Sequence, residues 1–247
     1  MRIHVLTTGR VRQKQRAGPR RYLPGGWAAA TLPVHAFAVQ HPLGLCLFDT
    51  GQTARAASPG YHQRWHPYLW LARFELGPED EVAPQLATRG LDPRSVHWVV
   101  LSHLHTDHVG GLEPFGHAEV LVSRAEWELA QGMRGRLRGY IPQRWARGLE
   151  PRLVDFEGPS FGPFAGSYDV AGDGSLVLVP TPGHTHGHLA MLAGDEGGRV
   201  LLGGDMAHTR AELPAEAPEI AAWCEQEAVP VLLAHDPDAA SGYAPPR

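Results

Sequence analysis

The sequence predicts an α+β layered fold, with β-sheets inside and helices outside, on three observations. Apolar runs of strand length fall into two groups, one before and one after residues 132–172, and helix-like segments follow the strands in each group. One of these runs, Val96 to Leu101, is nearly continuous and β-branched, as expected of a strand covered on both faces. The 29 Gly and 22 Pro among 247 residues supply turns and long loops, which suit a loop-built site better than a helix bundle. The length fits one large domain, taken as residues 1–247.

The first group opens with Ile3 to Thr7. A basic stretch follows that holds Arg10, Arg12, Lys14, Arg16, Arg20 and Arg21 and no acid, read as a solvated loop or a dimer contact. Leu32 to Val39 and Leu43 to Phe48 are the next strands, and the second delivers Asp49-Thr50-Gly51 at its end. Residues 55–77 are rich in aromatics (Tyr61, Trp65, Tyr68, Trp70, Phe74), which either wall a pocket or cover the core. Glu79 to Arg89 reads as a helix with acids in its first turn and Gly90 as its stop. Val96 to Leu101 is a buried strand, and Val120 to Val122 another. Ser123-Arg124-Ala125-Glu126 has capping-box spacing and starts a helix to about Gln131. Residues 132–172 read as an irregular excursion. Strands return at Leu176 to Val179, Leu189 to Leu192 and Val200 to Leu202, then a helix at Glu216 to Ala228 and a last strand at Val229 to Ala234.

Composition narrows the function classes. A net charge of −4 gives no general attraction to nucleic acid or anionic membrane. There is no apolar run of about 18 residues to span a bilayer and no signal-peptide core, so a cytoplasmic location is expected. Cys46 and Cys224 are too few for a disulfide framework, and Cys46 in its apolar run reads as a buried, inert thiol. Histidine, by contrast, occurs 15 times, and it is both a common metal ligand and a general acid/base.

The chemistry concentrates in His103-Leu104-His105-Thr106-Asp107-His108, directly after a buried strand. Along an extended chain His103, His105 and Asp107 share one side, and His108 joins them if the chain curls near Val109-Gly110-Gly111. Without ligands these would be buried polar groups lacking partners. Four such side chains exceed what one catalytic zinc takes from a protein, so two cations are expected: one on His103 and His105, the other on Asp107 and His108. Three more strands end in metal-capable residues: His184 after Leu176–Val179, Asp205 after Val200–Leu202, and His235 after Val229–Leu233. An aspartate can offer one oxygen to each of two cations, which makes Asp205 the natural shared ligand.

Taken together and in order, these motifs resemble those of the metallo-β-lactamase superfamily, and Phe48-Asp49-Thr50-Gly51 is similar to its early aspartate motif. The resemblance spans about 49 to 236. It implies a four-layer αββα sandwich with the metals at one edge. It also implies His103, His105 and His184 on one cation, Asp107, His108 and His235 on the other, Asp205 bridging, and Asp49 steadying a ligand from behind. Zinc is the expected metal, with Mn²⁺, Co²⁺ or Fe²⁺ compatible with the same N/O ligands.

Within that superfamily the runs at 32–51 and 99–105 resemble the N-acyl homoserine lactonase group. That implies opening of lactones or related esters through a metal-bridging hydroxide, with Asp107 moving the proton. Where those lactonases commonly place a tyrosine, this chain has His208, the candidate for orienting substrate or stabilising the oxyanion. Aryl ester or organophosphate triester hydrolysis is the alternative, and a nucleic-acid-processing nuclease is disfavoured by the acidic balance. A small-molecule substrate is therefore expected, with no nucleic-acid or membrane partner, and a homodimer is compatible with the sequence. His188 reads as a support for the site rather than a ligand. His186 and the scattered His4, His35, His41, His62, His66, His97 and His117 read as surface or packing residues.

Overall fold

The computed structural model describes residues 1–18, 21–58, 61, 72–136, 138–195 and 198–242. Its strands are β1 Arg2–Gly18, β2 Arg21–Trp27, β3 Leu32–His41, β4 Gly44–Phe48, β5 Ala72–Glu75, β6 Val96–Val100, β7 Glu119–Ser123, β8 Arg152–Val154, β9 Tyr168–Asp169, β10 Leu176–Pro180, β11 Leu189–Asp195, β12 Gly198–Leu202 and β13 Val231–Leu232. One sheet runs β2-β1-β3-β4-β6-β7-β8, with β5 also on β1; the other runs β13-β12-β11-β10-β9.

Alternation along the strands builds the layers. Phe37, Val39, Cys46, Phe48, Trp98 and Val100 face Leu176, Leu178, Met191 and Leu202 across the gap between the sheets. Their neighbours point the other way. Ala36, Ala38, Leu45, Leu47, Val99 and Leu101 pack under Val82, Leu86 and Ala130, from the helices Val82–Thr88 and Arg124–Gln131. On the second sheet, Val177, Val179 and Leu201 pack under Cys224 from the helix Pro218–Gln226 and under Leu213. The result is the expected αββα sandwich. Burial pushes the Cys46 thiol up to about 12, in keeping with an inert core residue.

Strand direction gathers the chemistry. β4, β6, β7 and β8 are mutually parallel, and so are β12 and β13. The carboxyl ends of β4, β6, β10, β12 and β13 therefore come out at one rim of the sandwich, and each leads directly to an Asp or His of the expected site. No helix among the described residues is long and apolar enough to cross a membrane.

Three local expectations differ. β1 does not stop near Thr7 but continues to Gly18 and pairs with β2, so Arg10, Arg12, Lys14 and Arg16 lie on a strand of the first sheet rather than in a loop. Lys14 and Arg73 there both lie over the Trp27 ring. The helix expected from Glu79 begins as a 3₁₀ turn, Pro78–Asp80, and restarts at Val82. Between them Glu81 is extended, its carboxylate taken up by Thr53 Oγ1 and the Ala54 amide. Residues 132–172 are not wholly irregular, since they hold β8, β9 and a short helix, Met133–Arg136. Of the aromatic segment, Trp65, Tyr68 and Trp70 lie outside the described residues, as do His62 and His66, while Phe74 sits in β5 beside Val11 and Val34.

Candidate metal centre

β6 ends at Val100, and a short loop ending in His105, itself extended, leads into one helical turn, Thr106–Val109. The curl thus starts four residues before Gly110, the first of the glycines expected to permit it, with His105 as N-cap. It carries Asp107 and His108 into a second cluster beside the first, with the His103 and His108 rings still 4.0 Å apart. The outer triad is His103, His105 and His184; the inner triad is Asp107, His108 and His235. Within each, the donor atoms lie within 4.8 Å of one another. In the outer triad His103 Nε2 and His184 Nε2 are each 3.0 Å from His105 Nδ1. A tetrahedral zinc with bonds of 2.0–2.1 Å holds its nitrogen ligands about 3.3 Å apart.

Asp205 stands between the triads and divides its carboxylate. Oδ2 lies 3.5 Å from His184 Nε2, and Oδ1 lies 3.4 Å from both His108 Nε2 and His235 Nε2. His235 Nε2 is also 3.7 Å from Asp107 Oδ2. His108 Nε2, His235 Nε2 and Asp205 Oδ1 are fully buried yet have no hydrogen-bond partner, although they point at a common centre. Buried polar atoms normally find partners, so three orphans facing one point fit a cation. This is a divalent-metal site.

The hydrogen bonds behind the ligands fix which nitrogen is bare. His108 Nδ1–H donates to Asp49 Oδ2 at 2.8 Å, and His235 Nδ1–H to the Pro33 carbonyl at 2.7 Å, leaving both Nε2 atoms as acceptors. Ser102 Oγ donates to Asp49 Oδ2 at 2.8 Å and so accepts from His103 Nδ1–H at 3.0 Å, which frees His103 Nε2. His105 is reversed: Nε2–H donates to the Arg138 carbonyl at 3.1 Å, and Nδ1 faces the cluster. Asp49 has φ 61°, a left-handed conformation uncommon for a non-glycine residue. From there its other oxygen takes the Ser102 amide at 2.7 Å.

His188 spends both nitrogens on the frame. Nε2 accepts the Asp205 amide at 3.1 Å, and Nδ1–H donates to Thr181 Oγ1 at 2.7 Å. It therefore holds the Asp205 backbone in place and has no nitrogen left for a cation. Gly204 permits the approach: its φ is +52°, and a Cβ there would lie 2.9 Å from His188 Nε2. His186 is exposed. His208 is buried, with its ring stacked on His235 at 5.5 Å and 6.0 Å from His184. It thus borders both triads.

Sequence reading missed the Pro33 and Arg138 carbonyls, Ser102 and Thr181, which carry no composition or spacing signal. It also misassigned Glu126. Ser123 Oγ does accept the Glu126 amide, but the Glu126 carboxylate does not return to cap the helix; it points into the site.

The two triads differ electrically. Burial, then the imidazoles of His108 and His105, hold His103 well below the ordinary histidine value. At His184, 23% of the side chain reaches solvent, yet desolvation of the ring still outweighs the pull of Asp205 and keeps it low. At His108 burial also opposes the cation, but Asp205 and Asp49 outweigh it and hold the group well above its usual value. His235 is raised in the same way, burial being overcome chiefly by Asp205. Burial would raise Asp205, but His235 and His108 keep it well below the carboxylate range.

Comparison with known proteins agrees with this geometry. The N-acyl homoserine lactonase AttM of Agrobacterium fabrum is 29% identical over 98% of this chain and 96% of its own length. That of Rhizobium johnstonii is 31% identical over 78% and 70%. A solved N-acyl homoserine lactone hydrolase, with the product N-hexanoyl-L-homoserine at its catalytic metal centre, superposes with a TM-score of 0.75 at 20% identity, covering 98% of this chain and 96% of that one. The family described as the Metallo-beta-lactamase superfamily matches residues 29–241, and the chain belongs to it.

Proposed function

We propose that this protein is a dinuclear metal-dependent hydrolase that opens lactones of the N-acyl homoserine lactone class, or closely related esters. The observation that carries the reading is the divided carboxylate of Asp205, with one oxygen toward the outer triad and the other toward the inner. In this reading His103, His105 and His184 hold one cation, Asp107, His108 and His235 hold the other, and Asp205 is shared. The ligand chemistry favours zinc. A cation pair bound there supplies Lewis acidity, generating a nucleophile from water near neutral pH and polarising the carbonyl under attack. Asp107, at the edge of the inner triad, accepts the proton of the attacking water and returns it to the leaving alkoxide. His208, bordering both triads, orients the substrate carbonyl and supports its developing negative charge. The exposed edge, at His184 and the half-buried His105, is the side from which substrate enters.

The lactone preference rests on relatives named as N-acyl homoserine lactonases, two of which align over nearly the whole of this chain. The test is a chelated protein reloaded separately with Zn²⁺, Mn²⁺, Co²⁺ or Fe²⁺ and assayed on an acyl homoserine lactone, a simple γ-lactone and an aryl phosphotriester. The expected order places the acyl homoserine lactone first. A reloaded protein that cleaves the phosphotriester faster than either lactone overturns the assignment.

A further inference from the structure

Glu126 is wholly buried, on the first turn of the helix Arg124–Gln131, and the reaction scheme above makes no use of it. Its two oxygens go to two different loops. Oε1 accepts the Leu104 amide at 3.0 Å, and Oε2 accepts the Thr185 hydroxyl at 2.7 Å. Leu104 lies between His103 and His105, and Thr185 follows His184. Each imidazole of the outer triad is therefore one residue away from a group bonded to this one carboxylate. The inner triad is held differently, by Asp49 behind His108 and by the Pro33 carbonyl behind His235.

The helix is seated against the same loop. Ser123 Oγ donates to the Gly187 carbonyl at 2.5 Å, and a Cβ on Gly187 would stand 2.1 Å from the Glu126 nitrogen. Only glycine lets the 184–188 loop come this close. Tyr140, whose ring packs 5.1 Å from that of His105, is buried beside the same carboxylate; burial and then the Glu126 charge push its phenol up.

We propose that Glu126 is the positioning residue of the outer cation site, tying the His103–His105 and His184–Thr185 loops together so that three imidazoles converge as a unit. The inference rests on the two-cation reading. Its physical basis is plain: losing the carboxylate leaves two buried donors unsatisfied and lets the loops relax independently, while a cation requires all three nitrogens at once. The buried negative charge behind the triad also favours a cation in front of it.

The two sites can be measured separately. A His235→Ala background leaves the outer site to be titrated with Zn²⁺ against a competing chelator, and a His184→Ala background leaves the inner one. Glu126→Gln, which keeps the shape but not the charge or both acceptors, should weaken the outer site about ten- to hundredfold and leave the inner site unchanged. Thr185→Val removes one of the two ties without touching the helix and should weaken the same site by less. Cobalt(II) absorption in the outer site should change with both variants. Equal weakening of the two sites, or wild-type outer affinity in both variants, overturns the proposal. If Glu126→Gln does not fold, Thr185→Val decides alone. A wild-type chain that takes up fewer than two equivalents refutes the two-cation reading itself, before any variant is compared.

Discussion

The outer and inner triads sit a few ångströms apart and share one aspartate, yet they are built in opposite ways. His103, His105 and His184 come from loops at the rim, and His184 keeps 23% of its side chain in solvent. Asp107, His108 and His235 lie below, with no side chain more than 8% exposed. Of the outer imidazoles, His103 is pushed toward the neutral form by burial and its neighbouring imidazoles, and His184 mainly by burial. The inner ones are held toward the charged form by carboxylates that outweigh their burial. One cluster is accessible and built of imidazoles alone, and the other is enclosed and carboxylate-supported. A pair of unlike sites of this kind can present substrate on the open side and position the proton-transfer carboxylate on the closed side.

The strongest way to break the comparison is to remove what the triads share. Asp205→Ala should abolish paired cation binding and cost several kcal/mol for each cation, a loss on the order of 10⁴ in kcat/KM. Metal analysis after gel filtration checks the binding, and a variant with two equivalents and near-normal turnover would remove Asp205 from its bridging place. Asp107→Asn tests the closed side alone. Turnover should fall about 10³-fold while the outer triad keeps its cation; a fully active variant would sink the proton-transfer role. A smaller effect is expected behind the ligands. Asp49→Asn disturbs His108 directly and His103 through Ser102, so it should weaken both sites, by about ten- to hundredfold at the inner. That pattern contrasts with Glu126, whose variants should affect only the outer.

Much of this site is legible in the sequence because its ligands are either adjacent, as in His103 to His108, or parked at the ends of apolar runs, as with His184, Asp205 and His235. The layers are legible for a related reason: each buried strand has its own apolar signature, and alternation sorts inner from outer faces. What escapes has no such signature. β1 runs on through Arg10, Arg12 and Lys14 because pairing with β2 and β5, rather than burial of an apolar face, keeps it extended. Glu126 matches the spacing of a capping box, and Ser123 fulfils half of it, so only the three-dimensional position of Leu104 and Thr185 shows that the carboxylate serves the metal loops. His188 and His184 are both histidines of one loop. The resemblance already reads His188 as a support, and the geometry supplies the reason, since both of its nitrogens have partners in the frame.

The mildest test of the asymmetry is pH. His108 and His235 carry raised values, so a cation entering the inner triad displaces protons, and below those values its affinity should fall about tenfold per pH unit for each proton displaced. His103 and His184 are lowered, so these two ligands should add little proton release to uptake by the outer triad near neutrality. The folding term has a definite sign as well. A histidine raised in the folded state adds stability that is fully present below its unfolded value of 6.5 and is lost as pH rises through the folded value. For the inner pair, cation-stripped protein should therefore lose stability on the alkaline side, where added Zn²⁺ restores it most effectively. Calorimetry of Zn²⁺ binding in buffers of different ionisation heat, on the His235→Ala and His184→Ala backgrounds, reads proton release site by site. The His184→Ala protein, with the inner site intact, should release more protons per cation than the His235→Ala protein. Equal release from the two would mean that the carboxylates around the inner triad do not set it apart.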